Sequence, residues 1–237
     1  HVWNVYRRVA KEAEGIPELA ERIPEGGLIR ALEQLIERVE REPITVTVRR
    51  SDSGQEDEVL FDGHTIRKLM RGYSGSLASW PVDMIALVNG NYDAAAKSIV
   101  RGYYESEGKR IQLFDQTREN TLGRTFLTAS YFSLDCASGI TQERLERYKS
   151  DPGWEILGDM AWKYTAGCPV WEVDLGDGFR RNFETEIPTL IVNGTWDTST
   201  PYENALELVP YFKQSKFVTV KRGPHGSIRA AMAESDS

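Results

Sequence analysis

The spacing of apolar residues changes period along the chain. Between Gly26-Gly27 and Pro43, Leu28, Leu32, Leu35, Ile36 and Val39 recur at helical spacing, which predicts an amphipathic helix with one stripe turned to a core. Upstream, Val2 to about Arg22 reads as a charged helical stretch broken at Gly15 and Pro17. Past Pro43 the period falls to two. Ile44-Thr45-Val46-Thr47-Val48 alternates with β-branched residues, a polar loop runs from Ser51 to Asp57, and Val59-Leu60-Phe61 follows, the pattern of a small hairpin. Arg49 and Arg50 beside the acidic loop read as its solvated tip. Helical periods resume at His64 to Arg71, from Trp80-Pro81 to Gly90 with Ser79 as N-cap, and from Asp93 through the alanines to about Tyr104. His64 reads as a surface or capping histidine, and Met70 and Met84 as core or lining residues, not a cofactor box.

Glu105 to Gly123 carries no periodicity and marks a boundary between residues 1–123 and residues 124–237. It is longer than an ordinary connection, which suits a segment that shapes or covers a cleft. Phe126 to Leu134 is apolar and aromatic enough for a buried strand ending at Asp135. Helices are expected near Thr141 to Tyr148 and from Pro152 to Lys163, the second capped by Asp151, with Trp154 and Trp162 on one face.

Leu190-Ile191-Val192, a short apolar run between Pro188 and Gly194, predicts a fully buried parallel strand. Thr200, Pro201 and Glu203 read as N-cap, first-turn proline and capping-box partner of a helix running through Leu206 and Leu208 to about Phe212. A second strand, Phe217 to Val220, turns at Gly223-Pro224 into His225-Gly226, and a final helix begins near Ser227. Strand, helix, strand is a right-handed crossover with both strands parallel. Parallel strands end on one edge, so Asp197 and His225 are expected on neighbouring loops where open α/β sheets place their sites. A carboxylate that orients a neutral imidazole is the base half of a nucleophilic triad. The alternative is a turn aspartate and an unrelated loop histidine.

The string from Pro188 to Gly194, with Asp197, Thr200-Pro201 and then Gly223-Pro224-His225-Gly226, resembles the C-terminal half of an α/β-hydrolase, in the tripeptidyl and prolyl aminopeptidase (TAP-like) branch of serine peptidases. The resemblance implies an α/β fold. Residues 124–237 would be the C-terminal part of the α/β-hydrolase parallel sheet, and residues 1–123 a mainly helical cap with the small hairpin, in which Trp80-Pro81 and Gly90-Asn91 stand as W-P and G-D do in the family. It implies Asp197 as orienting acid and His225 as general base. It implies a peptide, or a small ester or amide, as substrate, and no cofactor or metal. Family members hold the substrate's α-amino group with an acidic residue near the cap, and Asp135 is the substrate-binding candidate; the alternative is an aspartate capping a strand-to-helix turn.

The family's nucleophile, a serine on a G-x-S-x-G elbow that comes first in chain order, has no match. Gly72-Tyr73-Ser74-Gly75-Ser76 lacks the last glycine, follows no apolar strand, and reads as a turn between helices; Ser133 and Ser138 lack the elbow context. Either a preceding segment of the same protein supplies the serine or the site is inactive. With only the last strands of a larger sheet present, the apolar face of Leu190 to Val192 would lie open, an aggregation hazard, so a partner segment is expected to carry both the serine and the oxyanion hole. Two further readings stay open: a noncatalytic interaction module, and a thiol hydrolase using Cys136 and His225, which the absence of a glycine elbow at Cys136 disfavours.

Charge narrows the partners. With 29 Lys and Arg against 36 Asp and Glu the chain carries a net charge of −7, which argues against nucleic acid or an anionic membrane. No apolar run is long enough to span a bilayer. The start, His-Val-Trp-Asn, has neither an initiator Met nor a signal-peptide pattern and reads as a cut edge, so targeting sequence does not fix a compartment; the family resemblance leans secreted or periplasmic. Cys136 and Cys168 permit one disulfide without requiring it. Secreted family members resemble this chain at Cys168-x-x-Trp171 and pair that cysteine with one in a C-x-D pattern, whose position here is Ser133, with Cys136 displaced. A bridge and two buried thiols both remain open.

Overall fold

Helix periods and helix positions coincide through the first third of the structure, a computed structural model that describes residues 1–73, 77–115, 130, 132–171, 173–229 and 232, with backbone alone at 105–115. Helix α1 (Val2–Glu14) breaks at Gly15 into α2 (Pro17–Ala20), whose proline occupies the first turn, where a missing N–H is harmless. Helix α3 (Leu28–Arg41) buries the whole stripe together with Ala31. Strands β1 (Ile44–Arg49) and β2 (Glu56–Phe61) pair as a two-stranded sheet, closed where the Arg50 N–H donates to the Gln55 carbonyl at 2.8 Å. Asp62 then caps α4 (Gly63–Arg71) by accepting from the Thr65 N–H at 2.7 Å, which holds its carboxyl below the usual range. Helices α5 (Trp80–Val88) and α6 (Asp93–Asp115) follow.

The chain divides into two compact units. The first comprises His1–Thr47, Leu60–Ala95 and Asn182–Ser237. In it α1 packs on α2, α3 and α5, and α3 on α4 and α5. Val5, Leu28, Leu32, Val39, Ile66 and Trp80 are fully buried there. Tyr6 meets the Trp80 ring edge-on at 5.3 Å and donates its hydroxyl to the Met70 carbonyl at 3.0 Å. Burial pushes that phenol well above its ordinary range.

The same unit holds β3 (Thr189–Gly194) and β4 (Ser215–Val220), paired in parallel with Ile191 opposite Phe217 and Gly194 opposite Val220. The crossover between them is α11 (Tyr202–Leu208), which packs on β3, and a single 3-10 turn, Val209–Tyr211. Among the described residues this parallel sheet has only those two strands. Leu190, expected to be fully buried, is 64% exposed for that reason.

The second unit comprises Val48–Val59 and Ala96–Arg181. Residues 132–138 form helix α7. Helix α8 (Gln142–Lys149) is capped by Thr141, which accepts from the Arg144 N–H at 3.2 Å. Helix α9 (Gly153–Leu157), a π turn at Lys163–Gly167, a 3-10 turn at Cys168–Val170 and α10 (Asp177–Arg180) complete it. Cys136 on α7 is bonded to Cys168, with the Cα atoms 5.1 Å apart. Phe132 stacks on Trp171 at 5.6 Å and meets Trp162 edge-on at 5.8 Å.

These contacts explain where sequence periodicity misleads. The strand expected over Phe126 to Leu134 is helix at residues 132–134, with Leu134 71% exposed; residues 126–129 and 131 lie outside the described part. The aromatic run serves a helix because Phe132 packs between two tryptophans, while the Ser138 hydroxyl donates back to the Leu134 and Asp135 carbonyls. The aperiodic stretch from Glu105 is helical as far as Asp115. The boundary expected at residues 123/124 lies outside the described residues. Gly158, at φ +70°, ends α9 well short of Lys163. Trp154 therefore packs on Tyr148 at 5.0 Å, apart from Trp162 on Phe132, and the two share no helix face.

Candidate active site

Gly194, the last residue of β3, lets two loops meet. A Cβ there would stand 2.0 Å from the Gly223 carbonyl oxygen, so no other residue fits without shifting backbone. Beyond the strands the ladder continues: the Thr195 N–H donates to the Val220 carbonyl at 3.1 Å and the Trp196 N–H to the Gly223 carbonyl at 3.0 Å. The Arg222 N–H donates to the Thr195 hydroxyl at 2.8 Å. Gly226, at φ +76°, turns the chain after His225, and the Ser227 hydroxyl donates to the Pro224 carbonyl at 2.6 Å as the next helical turn begins. The loop after β3 and the loop after β4 are thus stitched together at the carboxyl edge of the sheet.

That stitching brings Asp197 and His225 together. His225 Nδ1 lies 3.0 Å from Asp197 Oδ2. Asp197 Oδ1 accepts from the N–H groups of Ser199 at 2.8 Å and Thr200 at 2.9 Å, and Oδ2 also accepts the Thr200 hydroxyl at 2.7 Å. The carboxylate is 4% exposed and the imidazole 53% exposed. An ionised carboxylate only accepts, so the neutral ring must carry its proton on Nδ1 to make this contact. Thr200 Oγ1, 3.2 Å from the same nitrogen, has given its proton to Asp197 and faces the ring as an acceptor. Nε2 keeps its lone pair and has no hydrogen-bond partner among the described residues. A buried acid, an oriented imidazole and a solvent-facing basic nitrogen can take a proton from a group that approaches Nε2.

Thr200 is the residue that sequence reading placed wrongly. Expected as the N-cap of a capping box, it instead turns both its N–H and its hydroxyl back to Asp197, so α11 starts at Tyr202 with Pro201 in the cap position. Glu203, the expected capping partner, is ion-paired with Arg8. An aspartate followed three residues later by threonine, with no apolar residue between, is the signal for such a side-chain-to-backbone turn. Beneath the loop, Asn193 donates from Nδ2 to the Thr200 carbonyl at 3.1 Å, while its buried Oδ1 has no partner among the described residues.

The other candidates stand elsewhere. Asp135, in the second unit, is ion-paired with Lys163. Cys136 is oxidised in the bridge to Cys168, which removes the thiol of the Cys136/His225 reading. Ser133 accepts from the Trp171 indole N–H at 3.0 Å. His64 is exposed at the start of α4. Ser74 to Ser76 lie outside the described residues.

Residues 155–235 match the family model of the TAP-like proteins, which are α/β-hydrolases. No curated protein and no solved structure gives a significant match. The matched span contains β3, Asp197, α11, β4 and His225, the elements that build the contact described above. Residues 155–235 are therefore similar to the C-terminal region of the TAP-like α/β-hydrolases.

Proposed function

We propose that this chain supplies the orienting acid and the general base of a serine hydrolase that acts on peptide N-termini, releasing single residues or short peptides, and that the nucleophilic serine lies on a segment outside these 237 residues. One observation carries the reading: His225 Nδ1 is 3.0 Å from the buried Asp197 carboxylate while the opposite face of the ring is open. In this reading Nε2 takes the serine proton as Oγ bonds to the scissile carbonyl carbon. Asp197 stabilises the resulting imidazolium, which returns the proton to the departing amine nitrogen, and water repeats the sequence to release the acyl group. The oxyanion would be held by backbone N–H groups of the serine-bearing segment.

The exposed apolar residues of the sheet support the existence of such a segment. Ile187, Leu190 and Val218 are exposed around a parallel pair that is too small to stand alone. An aminopeptidase also needs an anion for the substrate ammonium. Asp135 would serve only by releasing Lys163, one ammonium exchanged for another. The Cys136–Cys168 bridge supports an oxidising compartment outside the cytosol.

The test uses the serine-bearing polypeptide together with this chain, a fluorophosphonate probe, and a panel of tripeptidyl, prolyl and simple ester substrates. Labelling of a serine in G-x-S-x-G is expected, with His225→Ala and Asp197→Asn each lowering kcat roughly 10⁴-fold while the melting temperature holds. Absence of labelling with both polypeptides present, and no activity for His225→Ala to lose, would instead describe an interaction module. Hydrolysis of the esters alone would leave a serine esterase with the same base half.

A further inference from the structure

The N-terminal helix grips the candidate site from behind. Arg8 and Glu12 stand one turn apart on α1, beside Val5 and Val9 at the margin of the face that is buried in the helical core. Glu12 Oε1 accepts from the Trp196 indole N–H at 3.4 Å, next to Asp197 in sequence. Glu12 Oε2 accepts from Arg222 Nε at 2.8 Å, on the loop that carries His225. One carboxylate thereby spans the acid loop and the base loop, with the Arg222 guanidinium 5.7 Å from the Trp196 ring centroid. Arg8 adds a second hold: Nη1 donates to the Thr195 carbonyl at 2.6 Å and Nη2 pairs with Glu203 on α11.

We propose that Glu12 is a positioning residue, fixing the loops of Asp197 and His225 in register so that the carboxylate meets Nδ1 and selects the Nδ1–H tautomer. The spacing between the loops has backbone links of its own at Thr195, Trp196 and Arg222. Those links lie along the ladder, whereas Glu12 ties both loops to a helix anchored in a closed core. A rotation of either loop about the ladder would separate Oδ2 from Nδ1 without breaking it, and the Glu12 bridge opposes that rotation. Neither Asp197 nor His225 is touched by Glu12, so its effect passes through Trp196 and Arg222.

The experiment needs no substrate, so it stands or fails apart from the hydrolase reading. The chain has three histidines, His1, His64 and His225, and ¹⁵N-histidine labelling reports which ring nitrogen of each neutral imidazole is protonated. In the unaltered chain His225 is expected as the Nδ1–H tautomer, against the Nε2–H form that free imidazole side chains favour. Glu12→Ala removes both arms and, alanine being the best helix former, does not weaken α1 itself. Trp196→Phe removes the neutral arm and changes no charge. Both variants are expected to lose the single Nδ1–H signature for a mixture of tautomers while His64 is unchanged. A lowered melting temperature with the Nδ1–H signature intact in either variant would mean that the bridge only stabilises the fold, and would overturn the assignment.

Discussion

Leu32 and Leu190 are the same residue in two different situations. Leu32 on α3 is fully buried where α1, α3, α4 and α5 pack; Leu190 on β3 is 64% exposed. The helices each carry one apolar stripe and find another stripe to cover it. The sheet has two faces and two edges, and α11 covers part of one face, leaving Ile187, Leu190 and Val218 in water. The helical part is thus specified by its own sequence. The β3–β4 pair has the sequence of a strand pair inside a larger sheet, and only the loops at its carboxyl edge are satisfied locally.

Core truncation tests that contrast at its largest amplitude. Leu32→Ala is expected to cost about 2–5 kcal/mol, from lost burial and the cavity left between packed helices. Leu190→Ala should stay within about 0.5 kcal/mol, as for a surface site. Urea titration of both variants checks this, and equal costs would break the comparison. Adding the serine-bearing polypeptide sharpens it: if that segment covers β3, the cost of Leu190→Ala rises toward that of Leu32→Ala, while Leu32→Ala is unmoved.

The same contrast governs how far the sequence could be read. The α3 stripe, the hairpin, the Ser79 and Thr141 helix starts and the β3–α11–β4 crossover were legible because local period and local packing agree. The meeting of Asp197 and His225 followed from parallel strands ending on one edge. What was not legible depends on partners distant in sequence. Phe132 belongs to a helix because Trp162 and Trp171 bracket it. Thr200 belongs to Asp197 because a buried carboxylate outcompetes a helix end for its hydroxyl. Nothing in the spacing of α1 marks Glu12, whose role is set by Trp196 and Arg222 far along the chain.

Alkali probes the closed core next. Burial holds the Tyr6 phenol above its unfolded value of about 10. Below that pH the residue is protonated in both states and its contribution is intact. Above it the unfolded chain ionises first, so stability falls as pH rises, by about 1.4 kcal/mol per pH unit for this one group. Tyr73 and Tyr148 are also raised, mainly by burial, so the informative quantity is the difference between the unaltered chain and Tyr6→Phe. Urea midpoints at pH 9 and pH 11 should diverge less in Tyr6→Phe. An unchanged slope would mean that water reaches the Tyr6 hydroxyl.

The smallest effect is expected at the sheet's carboxyl edge, where the open region is locally complete. The Thr200 hydroxyl lies 2.7 Å from Asp197 Oδ2, and the residue itself is exposed. Thr200→Val keeps the shape and the backbone N–H contact to Oδ1 while removing that donor, so the loss is one hydrogen bond to a buried carboxylate, about 1.5 kcal/mol for a charged acceptor reached from an exposed residue. Thr200→Ser retains the donor and should recover most of it. If Thr200→Val costs nothing, water replaces the hydroxyl and the loop is as open as the strand behind it. A cost in Thr200→Ser with none in Thr200→Val would place the effect in the threonine methyl group, as packing against the loop and not as support for the acid.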